Sequence, residues 1–241
     1  MLRIAGIVLR RIRDTESANR VPDAVQRFFS GAPQIQDPRS SNDAWNPNTP
    51  TAVCSADILV PVEEPVMPVI SADIEPLAIT FEDDGLVPNS PLPFLVYKGA
   101  VALDPAQPEK SIETLFGGNG WGDMWRNGIY DYVHYHATVH EALGVARGHA
   151  HVRFGGEHGK ELRIAAGDVA ILPAGTGHQC LSASADLSVV GAYPSGAKMQ
   201  IMRPTPNNHA SALKTIPLVG VPGSDPVMGE DGPLTRLWRR P

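Results

Sequence analysis

The sequence predicts an all-β fold, a barrel or jelly roll of short strands with one or two short helices. Three observations predict it. From about position 93 onward, short runs rich in Val, Ile and Leu alternate with polar residues, glycines separate most of these runs, and a single stretch has near-helical spacing. Many short strands joined by glycine turns are typical of closed or two-layered β architectures.

The expected elements follow one another closely along the chain. A helix is expected from Gln107 to Leu115, stopped by the glycines that begin at Gly117. Trp121 and Trp125 follow it and either close one end of the barrel as a lid or pack the helix against it; packing is the favoured role, because large aromatic side chains dominate core burial. The expected strands are Pro93 to Val96, Ile129 to His136, Glu141 to Ala146, His149 to Phe154, Leu162 to Ile164, Val169 to Leu172, His178 to Leu181 and Leu187 to Tyr193.

A metal-ligand spacing is found in the middle of the chain. On one strand His134 and His136 would point to the same face, roughly 7 Å apart. A bend after His136 would let a hairpin bring the carboxylate of Glu141 toward them. Gly167 to Gly177 reads as a turn, a buried strand and a rigid corner that delivers His178, the expected fourth ligand.

Other histidines have different expected roles. His149 and His151 alternate with apolar residues and should face outward, and His158 reads as a hairpin-loop residue. His140 is left open: it adjoins Glu141 and could replace a ligand if the bend is wound differently, but as a strand neighbour of Glu141 it should point away.

These residues carry a resemblance to the cupin superfamily. The second cupin motif is matched by Gly167, Pro173, Gly175 and His178. This motif usually closes with Asn, and this chain has Ser182 there. The departure puts the local strand pairing in question. The first motif is matched by Gly128, His134, His136, Glu141 and Gly148.

A closer resemblance covers the chain from about Pro76 to its C-terminus. Its family, the bacterial single-domain cupins called YjlB-like, implies a double-stranded β-helix and no established reaction. The segments that resemble it begin at Phe81, Trp121, His140, Val189 and Asp225 and read FEDDGLVPNS, WGDMWRNGIY, HEALGV, VVGAYP and DPVMGEDGP.

The N-terminal part of the chain has a different composition. From Gly31 to about Glu75 it is rich in Pro, Asn, Ser and Asp, which disfavours any periodic element. We therefore expect a disordered extension over residues 1–75 and a single cupin domain over residues 76–241. We also expect that residues before Met67 add nothing to the barrel, and Met67 is a candidate translation start.

Composition excludes several function classes. The net charge of -6, without a sustained basic run, argues against nucleic-acid binding. No apolar stretch approaches the roughly 20 residues that span a bilayer, so no membrane association is expected. The two cysteines, Cys54 and Cys180, do not form a disulfide framework, which favours a reducing, cytoplasmic setting.

Three imidazoles and one carboxylate suit one divalent metal ion per chain, Fe, Mn, Ni or Zn. The leading hypothesis is a metal-dependent enzyme of the oxygenase or isomerase type acting on a small oxygen-bearing metabolite. The competing hypothesis is a non-catalytic cupin that binds a metal or a small ligand, for example as a sensor. Tyr132 and Cys180 are candidate catalytic residues, because they share strand faces with His134 and His178, although ordinary barrel filling explains them as well.

Self-association is the last expectation. A single cupin barrel leaves sheet edges and an apolar face uncovered, and a two-fold dimer is a common way to cover them. We expect a homodimer whose contacts come from Pro93 to Val101 and Lys214 to Val221. The alternative is that both segments fold back on their own barrel.

Overall fold

The computed structural model describes residues 74–194, 196 and 198–239. The proposed extension over residues 1–75 lies outside the described residues except for Ile74 and Glu75, and so do Met67 and Cys54.

Two antiparallel sheets form the body of the described chain. A six-stranded sheet has the order β1-β2-β7-β4-β9-β3, and a three-stranded sheet has the order β6-β5-β8. The predicted all-β fold is therefore confirmed. The strands are β1 Leu77–Ile79, β2 Phe94–Tyr97, β3 Trp121–Asn127, β4 Glu141–Arg147, β5 His149–Phe154, β6 Lys160–Ala165, β7 Val169–Leu172, β8 His178–Ala183 and β9 Ser188–Pro194.

The central strands of the larger sheet are buried on both faces. In β2, Leu95 and Tyr97 belong to one apolar core, while Phe94 and Val96 belong to a second core that lies between the two sheets. The same division holds in β4, where Ala142 and Ala146 face the first core and Leu143 and Val145 the second. This double burial explains why these strands read as continuous apolar runs.

The described chain also contains short helices, and the first of them packs on the six-stranded sheet. The described chain contains α1 Pro108–Gly118, α2 Pro206–Thr215, a 3₁₀ helix Ile216–Leu218 and α3 Pro233–Leu237, which is more helix than the sequence predicted. The helix expected from Gln107 is confirmed as α1. Among the described residues, no helix combines the length and the apolar character needed to cross a bilayer.

Close packing of α1 on the sheet depends on Gly144. A Cβ atom at this position would lie 2.6 Å from Cγ2 of Ile112 and 3.1 Å from the ring of Phe116. Any larger residue would push the helix away from β4, so glycine sets the distance between these two layers.

The expected strand from Ile129 to His136 is wrong. The segment is extended, but it contacts two different partners: His134 forms an isolated bridge with His178, and Tyr135 forms one with Met202. A strand needs one continuous partner, and here the main chain exchanges hydrogen bonds with alternate neighbours on its two sides. The alternation of side chains survives only near the bridges, where His134 and His136 line the cavity and Tyr135 packs on the other side.

The tryptophan segment after α1 forms strand β3, which the sequence analysis missed. Residues four apart on a strand would share a face, but the pairing of β3 with β9 shifts between Gly122 and Trp125. This bulge sends Trp121 into the core beneath the helices and Trp125 toward the barrel interior. Trp121 therefore packs as predicted, and Trp125 has a different role, described below.

The smaller sheet shows where Ser182 and the remaining histidines lie. Pairing continues past the departure from the second cupin motif, but its register shifts there: Ser182 is paired with His151, and the next pair is Cys180 with Val152. His151 and His158 are exposed as expected, and His149 is half-buried.

The proposed dimer segments are not open strands. Strand β2 within Pro93 to Val101 is paired on both sides, by β1 and by β7. Lys214 to Val221 is the end of α2 and the 3₁₀ helix, and its Ile216 is buried against Val87 and Tyr135. Neither segment offers a free sheet edge, because β2 is paired on both sides and Lys214 to Val221 contains no strand.

The C-terminal segment is tied to β2 by the buried carboxylate of Asp225. It accepts hydrogen bonds from the Tyr97 hydroxyl at 2.5 Å and from the main-chain N–H groups of Val227 at 2.8 Å, Met228 at 3.2 Å and Leu234 at 3.0 Å. The Asp225 side chain thus joins strand β2, the turn that contains Val227 and Met228, and the start of α3.

We predict that Asp225→Ala lowers the free energy of unfolding by about 3 kcal/mol or more, because each buried donor left without an acceptor costs ~1–3 kcal/mol. Asp225→Asn should lose less, since one acceptor oxygen remains. Glu230→Ala, which removes an exposed carboxylate from the same segment, is the control and should change stability by less than about 0.5 kcal/mol. Urea unfolding measures all three, and equal stabilities for Asp225→Ala and Glu230→Ala would contradict the role given to Asp225.

Candidate metal centre

Three buried imidazoles converge at one end of the barrel. The ligand atoms of His134, His136 and His178 all lie within 4.8 Å of one another. His134 and His136 come from the extended segment that precedes β4, and His178 is the first residue of β8. The bridge between His134 and His178, with main-chain N···O distances of 3.2 and 2.9 Å, holds the two segments side by side.

The main chain orients each of these imidazoles in the same way. The Nδ1 atoms lie 3.2 Å from the carbonyl oxygen of Tyr132 for His134, 2.9 Å from that of Gln200 for His136, and 3.4 Å from that of Thr176 for His178. A carbonyl oxygen can only accept, so Nδ1 carries the proton in each ring. The lone pair is left on Nε2, which is the arrangement that metal-binding histidines use.

The carboxylate of Glu141 faces this group of imidazoles. Glu141 is the first residue of β4 and points to the same side as Leu143, as the sequence predicted. Its Oε2 atom lies 3.4 Å from Nε2 of His136 and 3.5 Å from Nε2 of His178. This oxygen is buried and makes no hydrogen bond, which is rare for a carboxylate in a protein interior. A cation among these atoms would satisfy it, so the residues fit a metal ion.

Burial and charge together set the protonation states of the site. Burial disfavours the charged form of Glu141, but the facing His136 outweighs it and lowers the pKa of Glu141 to about 2. Burial likewise opposes the charging of His136, and Glu141 raises its pKa in spite of this. Burial lowers the pKa of His134 and lowers that of His178 to about 3. The latter two rings are therefore neutral at neutral pH, as ligands must be.

The second carboxylate oxygen of Glu141 is held by Tyr193, a residue to which the sequence analysis gave no role. The Tyr193 hydroxyl donates to Oε1 at 3.0 Å and accepts from Nε1 of Trp125 at 2.8 Å. Burial and the nearby Glu141 raise the pKa of Tyr193, so the phenol keeps its proton. Since Trp125 is only a donor, the hydroxyl proton must point to Glu141.

Gly191 makes this contact possible. It is paired with Trp125 across β3 and β9, and a Cβ atom at Gly191 would lie 2.0 Å from the indole ring. Only glycine leaves room for the ring to lie flat over β9 and reach Tyr193. The sequence contains a partial signal for this contact, because Gly191 and Tyr193 lie two residues apart in the VVGAYP segment and so share one face of the strand. It does not reveal the third member, because Trp125 lies far away in the sequence.

His140, whose role as a ligand the sequence left open, does not face the site. The Nδ1 atom of His140 accepts a hydrogen bond from the N–H of Ala174 at 3.0 Å, and its Nε2 lies 3.1 Å from the carbonyl oxygen of Gly220. Its ring also packs on Trp238. Both ring nitrogens are thus engaged on the side of β4 opposite to Glu141.

Tyr132 and Cys180 lie next to the proposed ligands but outside the cavity lining. The Tyr132 ring meets the edge of the His134 ring and lies beneath the guanidinium of Arg203 at 3.9 Å. Cys180 is half-buried against the inter-sheet core, and burial raises the pKa of its thiol, which disfavours the reactive thiolate. Their catalytic roles stay predictions.

A cavity of about 250 Å³ opens directly above the imidazoles. Its inner part is formed by the four proposed ligands and Tyr193, and its walls are mainly apolar. The remaining lining residues are Trp125, Arg126, Asn127, Gly128, Ile129, Tyr130, Leu143, Met199 and Ile201. The site is therefore reachable by a small molecule.

Comparison with solved structures finds only distant likenesses. An acireductone dioxygenase from Bacillus anthracis with a cadmium ion in its active centre is 14% identical, with a TM-score of 0.29, over 38% of this chain and 61% of that one. A DUF861 family protein from Thermotoga maritima is 22% identical, with a TM-score of 0.25, over 41% of this chain and 93% of that one. Structural likenesses with TM-scores this low do not indicate which reaction, if any, this chain catalyses.

Comparison at the level of sequence is more informative. No family model matches the chain. The uncharacterized protein YjlB of Bacillus subtilis (strain 168) is 37% identical over 159 residues, which is 66% of this chain and 93% of that protein. A match of this length spans nearly the whole relative and agrees with the motifs, the two antiparallel sheets and the buried imidazoles described above. This chain therefore belongs to the YjlB-like family of single-domain cupins.

Proposed function

We propose that this protein binds one divalent metal ion, Fe, Mn, Ni or Zn, through His134, His136, Glu141 and His178. The observation that supports it best is the shared orientation of the imidazoles, each with Nδ1 near a main-chain carbonyl oxygen and with ligand atoms that lie within 4.8 Å of one another. The unpaired buried oxygen of Glu141 completes a donor set of nitrogen and oxygen that suits these borderline ions.

We further propose that the protein is an enzyme of the oxygenase or isomerase type acting on a small oxygen-bearing metabolite. When bound, the ion supplies a Lewis acid with open positions for an oxygen ligand. Tyr193 keeps its proton and holds the Glu141 carboxylate, while Ile129 and Leu143 keep water from the inner wall of the cavity. The cavity admits one small molecule beside the four side chains.

The competing function, a non-catalytic cupin that binds a metal or small ligand, is favoured by a different observation. Beyond the proposed ligands, the ionisable groups that line the cavity within the described residues are Tyr130, Tyr193 and Arg126. Arg126 is paired with Glu113, and Tyr193 is held protonated. Few groups are thus free to move a proton. Turnover of a hydroxy-keto, thiol or enediol compound by the metal-loaded protein supports an enzyme, and tight binding without turnover supports a sensor.

Metal analysis tests the ligand assignment. Protein purified without an affinity metal column should contain about one divalent ion per chain, and His136→Ala and His178→Ala should each lose most of it, because the remaining donors no longer surround one point. His151→Ala, on the exposed face of β5, is the control and should keep its metal. Full metal content in His136→Ala together with loss in His140→Ala would show that the ligands are assigned wrongly.

The role of Tyr193 is tested by metal affinity. Tyr193→Phe removes the donor to Oε1 of Glu141, so we expect affinity to fall about 10–100-fold, as is usual when a group that orients a ligand is lost. Trp125→Phe should also weaken binding, because the Tyr193 hydroxyl then loses its partner. Tyr135→Phe is a matched control, since its buried hydroxyl has no hydrogen-bond partner. Competition titration with a chromogenic chelator gives the constants, and wild-type affinity in Tyr193→Phe would refute the role.

We also propose that the protein forms a homodimer in a reducing, cytoplasmic setting. Leu213 and Leu218 are exposed on α2 and the 3₁₀ helix, Leu218 to 82% of its surface, which is costly for large apolar side chains. Cys180 is a free thiol, which suits a reducing compartment. Light scattering coupled to size exclusion should give the mass of a dimer, and Leu218→Asp should give a monomer; a monomeric wild type at micromolar concentration would exclude the dimer.

A further inference from the structure

The mouth of the cavity is lined by apolar side chains that are open to solvent. Tyr130 is 44% exposed, Met199 45% and Ile201 38%, and all three line the same cavity. Large apolar side chains exposed singly on a surface need no explanation, but a group of them around one opening marks a place where an apolar partner is bound.

These apolar residues are coupled to the proposed metal centre. Met199 and Ile201 flank Gln200, whose carbonyl oxygen accepts the hydrogen bond from Nδ1 of His136 at 2.9 Å. The next residue, Met202, forms the bridge with Tyr135. The segment is therefore held in place beside the imidazoles, and the apolar mouth and the polar floor of the cavity form one continuous surface.

The cavity provides no free positive charge for a second acidic group. Arg126 is the one cationic side chain among the lining residues that the structure describes, and it makes two hydrogen bonds to the carboxylate of Glu113, at 2.6 and 2.8 Å. Arg203 is not a lining residue and lies over the ring of Tyr132. A dicarboxylate or a phosphate would leave a charge without a partner in this cavity, and such a charge is costly to bury.

We propose that the ligand of this cavity combines one oxygen-bearing chelating group with an apolar or aromatic body and carries no second charged group. The inference rests on the metal site proposed above, toward which the oxygen-bearing end is directed. The body lies against Tyr130, Met199 and Ile201. At about 250 Å³ the cavity is smaller than the usual ~300–1,000 Å³ range of pockets for drug-sized ligands, so this body is no larger than a single ring or a short branched chain.

Three α-hydroxy acids test the proposal, because they share one chelating group and differ in the rest. Glycolate has no body, mandelate adds a phenyl ring, and 4-carboxymandelate adds a second carboxylate on the far side of that ring, where it cannot reach the metal. Isothermal titration of the metal-loaded protein should show mandelate binding at least about tenfold tighter than glycolate, because burying a ring removes apolar surface from water. 4-Carboxymandelate should bind less tightly than mandelate.

Variants locate the preference for the apolar body. Met199→Ser and Ile201→Ser should each reduce the ratio of mandelate to glycolate affinity several-fold while leaving metal content unchanged. Leu181→Ser is the matched control: Leu181 has the same exposed fraction as Ile201, 38%, but does not line the cavity. It should keep the wild-type ratio.

The outcomes that overturn the proposal are distinct from failure of the metal site. Equal affinities for glycolate and mandelate, tighter binding of 4-carboxymandelate than of mandelate, or no binding of any probe at full metal content would each overturn it. So would loss of a dimer in Ile201→Ser, which would mean that a second copy of the chain covers the apolar mouth. If the protein holds no metal but binds mandelate with the expected preference, the metal site fails and the apolar part of the inference stands.

Discussion

The constraint on which the rest of the structure depends is the burial of strand β4 on both faces. Helix α1 covers one face through Gly144, and the three-stranded sheet covers the other across the core that contains Leu143. Any polar side chain on β4 must then find its partners inside the protein. Glu141 begins this strand, and burying a carboxylate costs several kcal/mol unless its charge is balanced. Among the groups around it, His136, whose pKa Glu141 raises, and the Tyr193 hydroxyl, which donates to Oε1, stabilise the carboxylate.

Several groups that orient the site come from parts of the chain outside its motifs. A bulge in β3 turns Trp125 inward, Gly191 leaves space for the indole ring, and the ring directs the proton of Tyr193 to Glu141. The carbonyl of Gln200 fixes the tautomer of His136 in a similar way. These contacts turn Oε2 of Glu141 and the three imidazoles toward a common point. The segment that carries Gln200 also forms the apolar mouth, so one short stretch of chain serves both the orientation of a ligand and the entry of a small molecule.

Two neighbouring residues at the start of β4 serve opposite layers of the fold. Glu141 faces the barrel interior, whereas His140 lies on the other side and joins Ala174, Gly220 and Trp238. That side also contains Asp225, which connects Tyr97 on β2 to the start of α3. The helical layer is therefore attached to the central strands by directional hydrogen bonds as well as by apolar packing, and this attachment keeps the strand that carries Glu141 in place.

The sequence by itself determined what depends on local spacing. Alternation of period two located β4 and β5, placed Glu141 on the same side as Leu143, and placed His134 and His136 on one side of an extended segment, while an apolar run between turn residues located β7. Only the tertiary structure decided how the segments pair. The stretch around His134 is no strand because its neighbours differ on its two sides, Trp125 faces inward because of a bulge, and Tyr193, in place of Tyr132, reaches the carboxylate. The physical reason is that the direction of a side chain follows from its own backbone, whereas register, bulges and partners depend on residues far away in the chain.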